Sequence, residues 1–275
     1  MEKKRLAGKV AWVTGSSRGI GRVIAAHLAD LGASVAVHGT SPTSTRAFDE
    51  AESLEAVAQD ISDQSGSPAM AVWGDLTNPD RVQKIAGQIR ATYGQIDIQV
   101  NCAGGDVGTQ GVTAPNAGKP VGNDAIHISL QDIRTVLDRN IMTCILCCRE
   151  VAPEMMERKE GWIVNIGSIA GLNGNITEAI YSTAKAAVHE YTRCLAALLR
   201  PYNVAANVIA PGPIVTQRFL ASRPTEDEMM AKEGTFVRYG WPIEVARAVA
   251  FFATNDSFIT GQVLRVDGGR QIWPA

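Results

Sequence analysis

The sequence predicts an α/β protein with a doubly wound, parallel sheet of seven strands and helices on both faces. Short, nearly continuous apolar segments alternate with amphipathic helical stretches along the chain. Uninterrupted apolar strands are typical of parallel sheets buried on both faces, and right-handed crossovers place the helices on either side. A glycine-rich turn joins the first predicted strand to the first predicted helix, a connection common in this fold class.

The predicted strands are short runs of small and β-branched residues that end at turn-forming positions. They span residues 9–15, 34–39, 69–74, 96–101, 161–168, 204–212 and 261–269. The predicted helices, identified from apolar residues at helical spacing, span residues 19–31, 43–64, 79–93, 129–158, 180–200 and 242–254. No repeat, low-complexity tract or linker divides these elements, so we expect a single domain over residues 1–275.

Two long connections interrupt the alternation of strands and helices. Residues 104–128 contain six glycines and two prolines and precede Ser129, which begins a capping sequence. Residues 211–235 separate the sixth strand from the last helix. Both follow the carboxyl ends of strands, where open α/β sheets bind ligands, so we expect both connections to contact the substrate.

Composition and charge exclude several classes of protein. Hydrophobic residues make up 45% of the chain and charged residues 20%, which is typical of a folded globular protein. The net charge of −2 provides no global basic field that would attract nucleic acid or anionic lipid. No apolar run of about 18 residues offers a membrane span. We therefore expect neither nucleic acid nor a membrane as a partner.

The cysteines indicate a reducing compartment. Five cysteines, an odd number without a paired framework, occur at Cys102, Cys144, Cys147, Cys148 and Cys194. This usage predicts a cytoplasmic protein. The CILCC segment lacks a second cysteine or histidine pair, and the four histidines lack ligand spacing, so we expect no metal site there and core-facing thiols on a helix instead.

The glycine turn, VTGSSRGIG at residues 13–21, predicts a dinucleotide site. Glycine lets the backbone turn tightly and approach a pyrophosphate, which is stabilised at a helix N-terminus. A tight turn without a ligand would use similar residues, but the position after the first strand of a parallel sheet favours the dinucleotide. The residues of this turn expected to contact it are Gly15, Ser17, Arg18, Gly19, Ile20 and Gly21.

A serine, a tyrosine and a lysine form the candidate catalytic group. Tyr181 and Lys185 of YSTAK stand four residues apart and therefore share one face of a helix. Ser168 ends the fifth predicted strand, thirteen residues before the tyrosine. A neighbouring ammonium would lower the pKa of the phenol toward neutrality, while the serine would hold the substrate oxygen. These roles predict hydride transfer between a nicotinamide and the carbon that bears this oxygen.

Over residues 6–270 the chain resembles the single-domain branch of the short-chain dehydrogenase/reductase family, and most closely its β-ketoacyl carrier-protein reductases and small ketone or sugar reductases. The motifs that carry the resemblance are TGSSRGIG (14–21), GDL (74–76), NCAG (101–104), LDRNI (137–141), YSTAK (181–185) and PGPIVT (211–216). The resemblance implies a Rossmann fold, oxidoreductase activity on a small carbonyl or alcohol substrate, and homotetramers or homodimers packed through the helices at 129–158 and 180–200. The 104–128 connection is longer than is usual in the family, which argues against an acyl-carrier substrate.

The resemblance also assigns site residues. It implies a catalytic tetrad of Asn140, Ser168, Tyr181 and Lys185, in which Lys185 also binds the nicotinamide ribose and Asn140 holds a water of a proton relay. The further cofactor contacts that it implies are Asp75 and Leu76 beside the adenine, Asn101, Ala103 and Gly104 after the fourth strand, and Pro211, Gly212, Ile214 and Thr216 beside the carboxamide.

The end of the second strand predicts NADP(H) in preference to NAD(H). Relatives that prefer NAD usually carry an acidic residue where this chain has Gly39, because a carboxylate binds a ribose hydroxyl and repels a phosphate. We expect Gly39 to leave space for the 2′-phosphate, with Thr40 and Ser41 as hydroxyl donors and Arg18 as the charged partner. The alternative is that the Arg18 side chain extends into solvent and binds no phosphate.

The sequence leaves the substrate open among sugars, ketones, ketoesters and polycyclic alcohols. Residues 105–127, 169–178 and 214–230 are expected to form its walls. Within them, Asn173, Asn175 and Glu178 are candidates to bind hydroxyls, or else simply form turns and a helix N-terminus. The apolar candidates are Phe219, Leu220, Met229 and Met230.

Other functions remain as alternatives. An NAD(H)-dependent alcohol or sugar dehydrogenase differs only in the cofactor. A regulatory scaffold that binds NADP without turnover generally lacks the catalytic tyrosine or lysine, both of which this chain retains. Epimerases and dehydratases of the family generally carry a C-terminal substrate domain, whereas this sequence stops soon after VDGG at 266–269.

Overall fold

The computed structural model describes residues 4–253 and 258–272 and contains the predicted seven-stranded sheet. The strands are β1 Val10–Thr14, β2 Ser34–Gly39, β3 Ala69–Trp73, β4 Ile98–Asn101, β5 Gly161–Ile166, β6 Val204–Pro211 and β7 Val263–Val266. All neighbouring pairs are parallel, in the order β3-β2-β1-β4-β5-β6-β7. The doubly wound class and the strand number are therefore confirmed.

Eight α-helices lie within the described residues. They are α1 Gly19–Asp30, α2 Leu54–Ser65, α3 Pro79–Tyr93, α4 Leu130–Leu137, α5 Thr143–Arg158, α6 Ala179–Leu199, α7 Gln217–Ser222 and α8 Pro242–Ala253. The predicted last residue of the final helix, 254, lies outside the described residues. In the part of the chain that the structure describes, no helix is both long enough and apolar enough to cross a bilayer.

The prediction of one helix over residues 43–64 is wrong. A short 3₁₀ turn spans Ser44–Phe48 and ends at Asp49, whose φ of 53° lies in the left-handed region. Helix α2 then begins afresh because Ser53 caps it by accepting a hydrogen bond from the backbone N–H of Ala56 at 3.1 Å. The break brings Glu50 to the start of α1, where Gly19 and Arg22 donate hydrogen bonds to it.

The prediction of a continuous helix over residues 129–158 is also wrong in its middle. Residues Asp138–Met142 form a π-helical turn that joins α4 to α5. Such single π turns in α-helices frequently mark functional sites, because the inserted residue redirects one side chain. The residue at the centre of this turn is Asn140.

The hydrophobic core lies in two layers, one on each face of the sheet. Strand β1 sends Ala11 and Val13 to the layer formed with α1, α2 and α8, and Val10 and Trp12 to the layer formed with α3, α5 and α6. This alternation follows from the two-residue period of a strand. All five residues of β1 are buried, as its central place in a doubly wound sheet requires.

The strand order reverses between β1 and β4, and a ligand cleft opens at the carboxyl ends of strands beside such a reversal. The hydroxyl of Thr14 holds the two strand ends together. It accepts hydrogen bonds from the backbone N–H groups of Cys102 at 3.0 Å and Ala103 at 3.1 Å. The two long connections follow β4 and β6 on this same edge.

Candidate active site

The glycine turn fits a closely approaching ligand. Gly15 has a φ of +65°, and a Cβ on it would lie 2.8 Å from the Cα of Ala103. A Cβ on Gly21 would collide with the carbonyl oxygen of Gly15. Neither position therefore accepts a side chain, and the backbone at the start of α1 faces the cleft without side chains in the way, which is the arrangement a pyrophosphate needs.

Ser168, Tyr181 and Lys185 meet at the carboxyl end of β5, as the sequence predicts. The Ser168 hydroxyl acts on the phenol of Tyr181, whose pKa it lowers, and both side chains line one cleft. The Nζ atom of Lys185 donates to the carbonyl oxygen of Ile166 at 2.8 Å and lies 5.7 Å from the centre of the Tyr181 ring. Helix α6 carries the tyrosine and the lysine one turn apart, so both reach the strand end that presents the serine.

The net shift of the Tyr181 pKa is opposite to the lowering that the sequence predicts. Burial raises the pKa of the Tyr181 phenol to about 12, and this effect outweighs the hydrogen bond from Ser168 and the charge of Arg218, which lower it. Burial also lowers the pKa of Lys185. The phenol is therefore protonated at neutral pH and is set up as a proton donor.

The Asn140 side chain fixes the backbone at Gly105 through hydrogen bonds. Its Nδ2 group donates to the carbonyl oxygens of Val136 at 2.8 Å and Gly105 at 3.0 Å, and its Oδ1 accepts from the N–H of Gly105 at 2.9 Å. The π turn is what points this side chain at the start of the 104–128 connection. A role for Asn140 in a proton relay stays a prediction.

At the adenosine end, the expectation of open space beside Gly39 is wrong. The 3₁₀ turn at Ser44–Phe48 folds back over the strand end, and a Cβ on Gly39 would collide with the hydroxyl of Ser44. That hydroxyl is buried and has no hydrogen-bond partner among the described residues. An unpartnered buried hydroxyl beside the cleft is consistent with a polar ligand at this end.

Arg18 lies in the same region, where its guanidinium donates to the Ser44 carbonyl at 2.5 Å and stands 5.5 Å from the centre of the Phe48 ring. Burial lowers the pKa of Arg18, and the charge of Glu50 opposes that shift. Sequence reasoning missed Glu50. The broken helix returns it to the cleft, where its carboxylate accepts the N–H of Gly19 at 2.9 Å.

One cleft joins the glycine turn to the catalytic group. Its volume of about 1170 Å³ exceeds the roughly 300–1,000 Å³ of a typical single-ligand pocket, so it has room for a dinucleotide and a small substrate. The predicted cofactor residues that line it are Gly15, Ser17, Arg18, Gly19, Ile20, Gly21, Gly39, Thr40, Asp75, Leu76, Ala103, Gly104, Tyr181, Lys185, Pro211, Gly212, Ile214 and Thr216.

Three of the predicted site residues do not line this cleft: Ser41, Asn101 and Asn140. The Asn101 side chain is buried in the sheet, where it donates to Asn165 Oδ1 at 2.8 Å.

The substrate candidates divide into those that line the cleft and those that do not. Lining it are Asn173, Asn175, Glu178 and Phe219. Met229 and Met230 pack against the small core around Phe219, and Leu220 is exposed. Glu178 precedes α6 but pairs with Lys119.

Of the cysteines, Cys144, Cys147 and Cys148 face the core as expected. Among the described residues, no group of three or more histidine, cysteine, aspartate or glutamate side chains has the arrangement of a metal site.

A family model described as short chain dehydrogenase matches residues 9–227. Among curated proteins, the chain is 35% identical to the 3-oxoacyl-[acyl-carrier-protein] reductase FabG of Aquifex aeolicus (strain VF5), over 96% of this chain and 98% of that protein. It is 32% identical to the enzyme of the same name from Escherichia coli (strain K12), over 95% of this chain and 97% of the relative.

Solved structures give the same picture of the fold. A putative gluconate dehydrogenase from Agrobacterium tumefaciens superposes with a TM-score of 0.79 at 28% identity, covering 98% of each chain. A 7α-hydroxysteroid dehydrogenase, complexed with NADH and 7-oxo glycochenodeoxycholic acid, superposes with a TM-score of 0.78 at 29% identity, covering 97% of this chain and 96% of the other.

Proposed function

Because the chain belongs to the short-chain dehydrogenase family, we propose that it is an NADP(H)-dependent oxidoreductase that interconverts a carbonyl group and a secondary alcohol. The observation that carries the proposal is that Ser168, Tyr181 and Lys185 line the same cleft as the glycine turn. In this proposal, residues 1–275 form one domain for both cofactor binding and catalysis, and the segments 104–128 and 211–235 contact the substrate.

The side chains of this protein account for the proton transfer that accompanies hydride transfer. The bound nicotinamide supplies the hydride that the carbonyl carbon receives in the reductive direction. Ser168 donates a hydrogen bond to the carbonyl oxygen and fixes it beside Tyr181. The phenol of Tyr181 then donates its proton to that oxygen as the oxygen becomes an alkoxide. The buried ammonium of Lys185 stabilises the phenolate that remains.

The preference for NADP(H) rests on Arg18, together with the unpartnered hydroxyl of Ser44. Both line the adenosine end of the cleft. A charge-assisted hydrogen bond of about 1.5–3 kcal/mol corresponds to roughly ten- to a hundredfold in affinity. Comparison of kcat/KM for NADPH and NADH should show NADPH favoured in the wild type, and Arg18→Ala should lose most of that preference. Equal or NADH-favouring values in the wild type would defeat the cofactor assignment.

The second candidate is an NAD(H)-dependent alcohol or sugar dehydrogenase, and the carboxylate of Glu50 favours it. This carboxylate sits at the N–H of Gly19 and would repel a phosphate brought close to it. A Glu50→Gln variant separates the two candidates. If Glu50 only opposes the phosphate, the variant binds NADPH several-fold more tightly; if Glu50 binds the ribose hydroxyls of NADH, the variant binds NADH less tightly.

A scaffold that binds the dinucleotide without turnover is the alternative from another class. A panel of carbonyl and alcohol substrates, read by nicotinamide absorbance, decides between turnover and binding alone. Turnover of any panel member in either direction supports the oxidoreductase. Tight dinucleotide binding without turnover across the panel supports the scaffold.

A further inference from the structure

A cluster of charged side chains surrounds Tyr181 and has no part in the mechanism above. It consists of Lys119, Arg218 and Arg223 as cations, with Asp106 and Glu178 as carboxyls, and we call it the Arg218 cluster. Its members come from the 104–128 connection, from the start of α6, and from the segment around α7. These parts of the chain are distant in sequence, so the fold brings the cluster together.

Arg218 is held rigidly at the centre of the cluster. Its Nη2 donates to the carbonyl oxygen of Asp106 at 2.7 Å, and its Nη1 lies 3.1 Å from the place that a Cβ on Gly105 would take. The Nε atom is buried and has no hydrogen-bond partner among the residues that the structure describes. No carboxylate oxygen of the described residues is within ion-pair distance of this guanidinium, so its charge is not neutralised by a direct partner.

Arg223 adds a second guanidinium to the same wall. It lies 4.9 Å from the centre of the Phe219 ring, and its Nη2 is 3.6 Å from Glu178 Oε1. The two arginines repel each other enough that the charge of Arg223 lowers the pKa of Arg218. Both line the cleft that contains Ser168 and Tyr181.

Two carboxyls, Glu178 and Asp106, face the three cations of the cluster. Glu178 forms a short ion pair with Lys119. Asp106 accepts a hydrogen bond from Asn123 Nδ2 at 2.7 Å; burial raises its pKa, while Asn123, Lys119 and Arg218 lower it. The cluster thus holds three cations against two carboxyls; Glu178 pairs with Lys119 and Arg223, and Arg218 has no ion-pair partner among the described residues.

We propose that the substrate carries a carboxylate, which Arg218 and Arg223 bind while Ser168 and Tyr181 bind the reacting oxygen. This inference rests on the proposed oxidoreductase function and narrows its substrate to carbonyl acids and the corresponding hydroxy acids. A planar guanidinium matches a carboxylate with two parallel hydrogen bonds, and in a partly buried cleft such pairs are strong. A neutral ester or amide of the same shape would leave the buried guanidinium charge unpaired.

The test compares matched substrates that differ only in this charge. Rates of NADPH or NADH oxidation are measured with 3-oxobutanoate, 4-oxopentanoate and 5-oxohexanoate, each against its methyl ester. The wild type is expected to favour at least one acid over its ester by tenfold or more in kcat/KM. Arg218→Met should abolish that preference, Arg218→Lys should retain part of it, and Arg223→Met should weaken it.

A binding measurement keeps this test separate from turnover. Calorimetric titration of the enzyme, loaded with its oxidised cofactor, compares pentanoate with pentanamide. The carboxylate should bind at least tenfold more tightly to the wild type, and equally weakly to Arg218→Met. Arg81→Met, which removes an exposed guanidinium on α3 outside the cleft, is the matched control and should behave as the wild type does.

Two outcomes overturn the inference. One is equal kcat/KM values for the acids and their esters in the wild type. The other is an Arg218→Met variant in which kcat/KM for the acid and kcat/KM for its ester fall by the same factor. If no carbonyl compound is turned over at all, the proposed function fails. The titration still judges the anion site in that case: tighter binding of pentanoate that depends on Arg218 supports the site, and equal binding of both probes refutes it.

Discussion

His38 lies buried at the end of β2 and connects the glycine turn to the end of β3. Its Nδ1 accepts the N–H of Gly15 at 3.1 Å, so Nε2 carries the proton and donates to the carbonyl oxygen of Gly74 at 3.1 Å. Burial lowers the pKa of His38 to about 4. Burial likewise lowers the pKa of His189, behind Ser168, to about 4. Both rings are therefore neutral at physiological pH.

These two histidines make the fold sensitive to acid. Between pH 6.5 and 4 the unfolded chain binds their protons and the native chain does not, so stability is lost as the pH falls through this range. Each histidine contributes up to about 1.4 kcal/mol per pH unit. We expect the free energy of unfolding, measured by urea titration from pH 7 to pH 5, to fall less steeply in His38→Gln than in the wild type.

Glutamine can accept from Gly15 and donate to Gly74 without taking up a proton, which makes the His38→Gln comparison specific. His127, whose side chain is 72% exposed, provides the control. His127→Gln makes the same substitution at an exposed position, and the slope of His38→Gln is read against it. An unchanged slope in His38→Gln would show that His38 does not titrate between the two states as described.

Residue identity was enough to predict Ser168, Tyr181 and Lys185, because helix periodicity and the end of a strand bring them together. It was not enough for Glu50 or Arg218. Glu50 depends on a break in a predicted helix, and Arg218 on the short helix α7 within the 211–235 connection; neither leaves a clear periodic signal in the sequence. The raised pKa of Tyr181 was missed because burial is a property of the packed cleft, not of spacing along a helix.

At the scale of elements, the turn between β1 and α1 is fixed by contact between backbone atoms. Gly21→Ala would press a methyl group against the Gly15 carbonyl. We expect this variant to bind the dinucleotide at least tenfold more weakly and to lose about 1–3 kcal/mol of stability, the usual cost of overpacking. Fluorescence titration with the reduced cofactor and urea unfolding measure the two effects.

Gly87 offers a matched control in the interior of α3. A Cβ there meets no atom within 4 Å, so Gly87→Ala should stabilise the helix by about 0.5–1 kcal/mol and leave cofactor binding unchanged. Wild-type cofactor affinity in Gly21→Ala would contradict the close backbone approach proposed for this turn.

The π turn shows what local pattern could not reveal. Residues 129–158 have helical periodicity throughout, yet the chain inserts one residue at Asp138–Met142. The reason is tertiary, since the turn lets Asn140 make three hydrogen bonds, two of them with Gly105 in the connection after β4. The resemblance predicted Asn140 as a catalytic residue, but not that its side chain binds the backbone of Gly105.

At the scale of the whole molecule, the alternation of strands and helices was sufficient to predict the sheet and its seven strands. The assembly remains a proposal, and we expect a homotetramer, or failing that a homodimer, packed through α4, α5 and α6. Exposed apolar side chains occur on this part of the surface, including Leu130, Met142 and Leu198, which are 62%, 39% and 59% exposed.

Light scattering coupled to size exclusion tests the assembly directly. A tetramer would have about four times the chain mass of 29.3 kDa. Leu198→Glu should shift the equilibrium toward smaller species, because a charge in an apolar interface is costly. Val237→Glu, the matched change at an exposed residue outside these helices, should leave the mass measured by light scattering unchanged. A wild-type monomer at micromolar concentration would contradict the proposal.

The central claim is that Tyr181 transfers the proton in a nicotinamide-dependent carbonyl reduction. Turnover and cofactor affinity of Tyr181→Phe test it most directly, with Tyr202→Phe, a partly exposed tyrosine beyond α6, as control. Loss of the proton donor should lower kcat by about 10²-fold or more while the dissociation constant of the reduced cofactor stays within about twofold. Near-wild-type turnover in Tyr181→Phe would contradict the account.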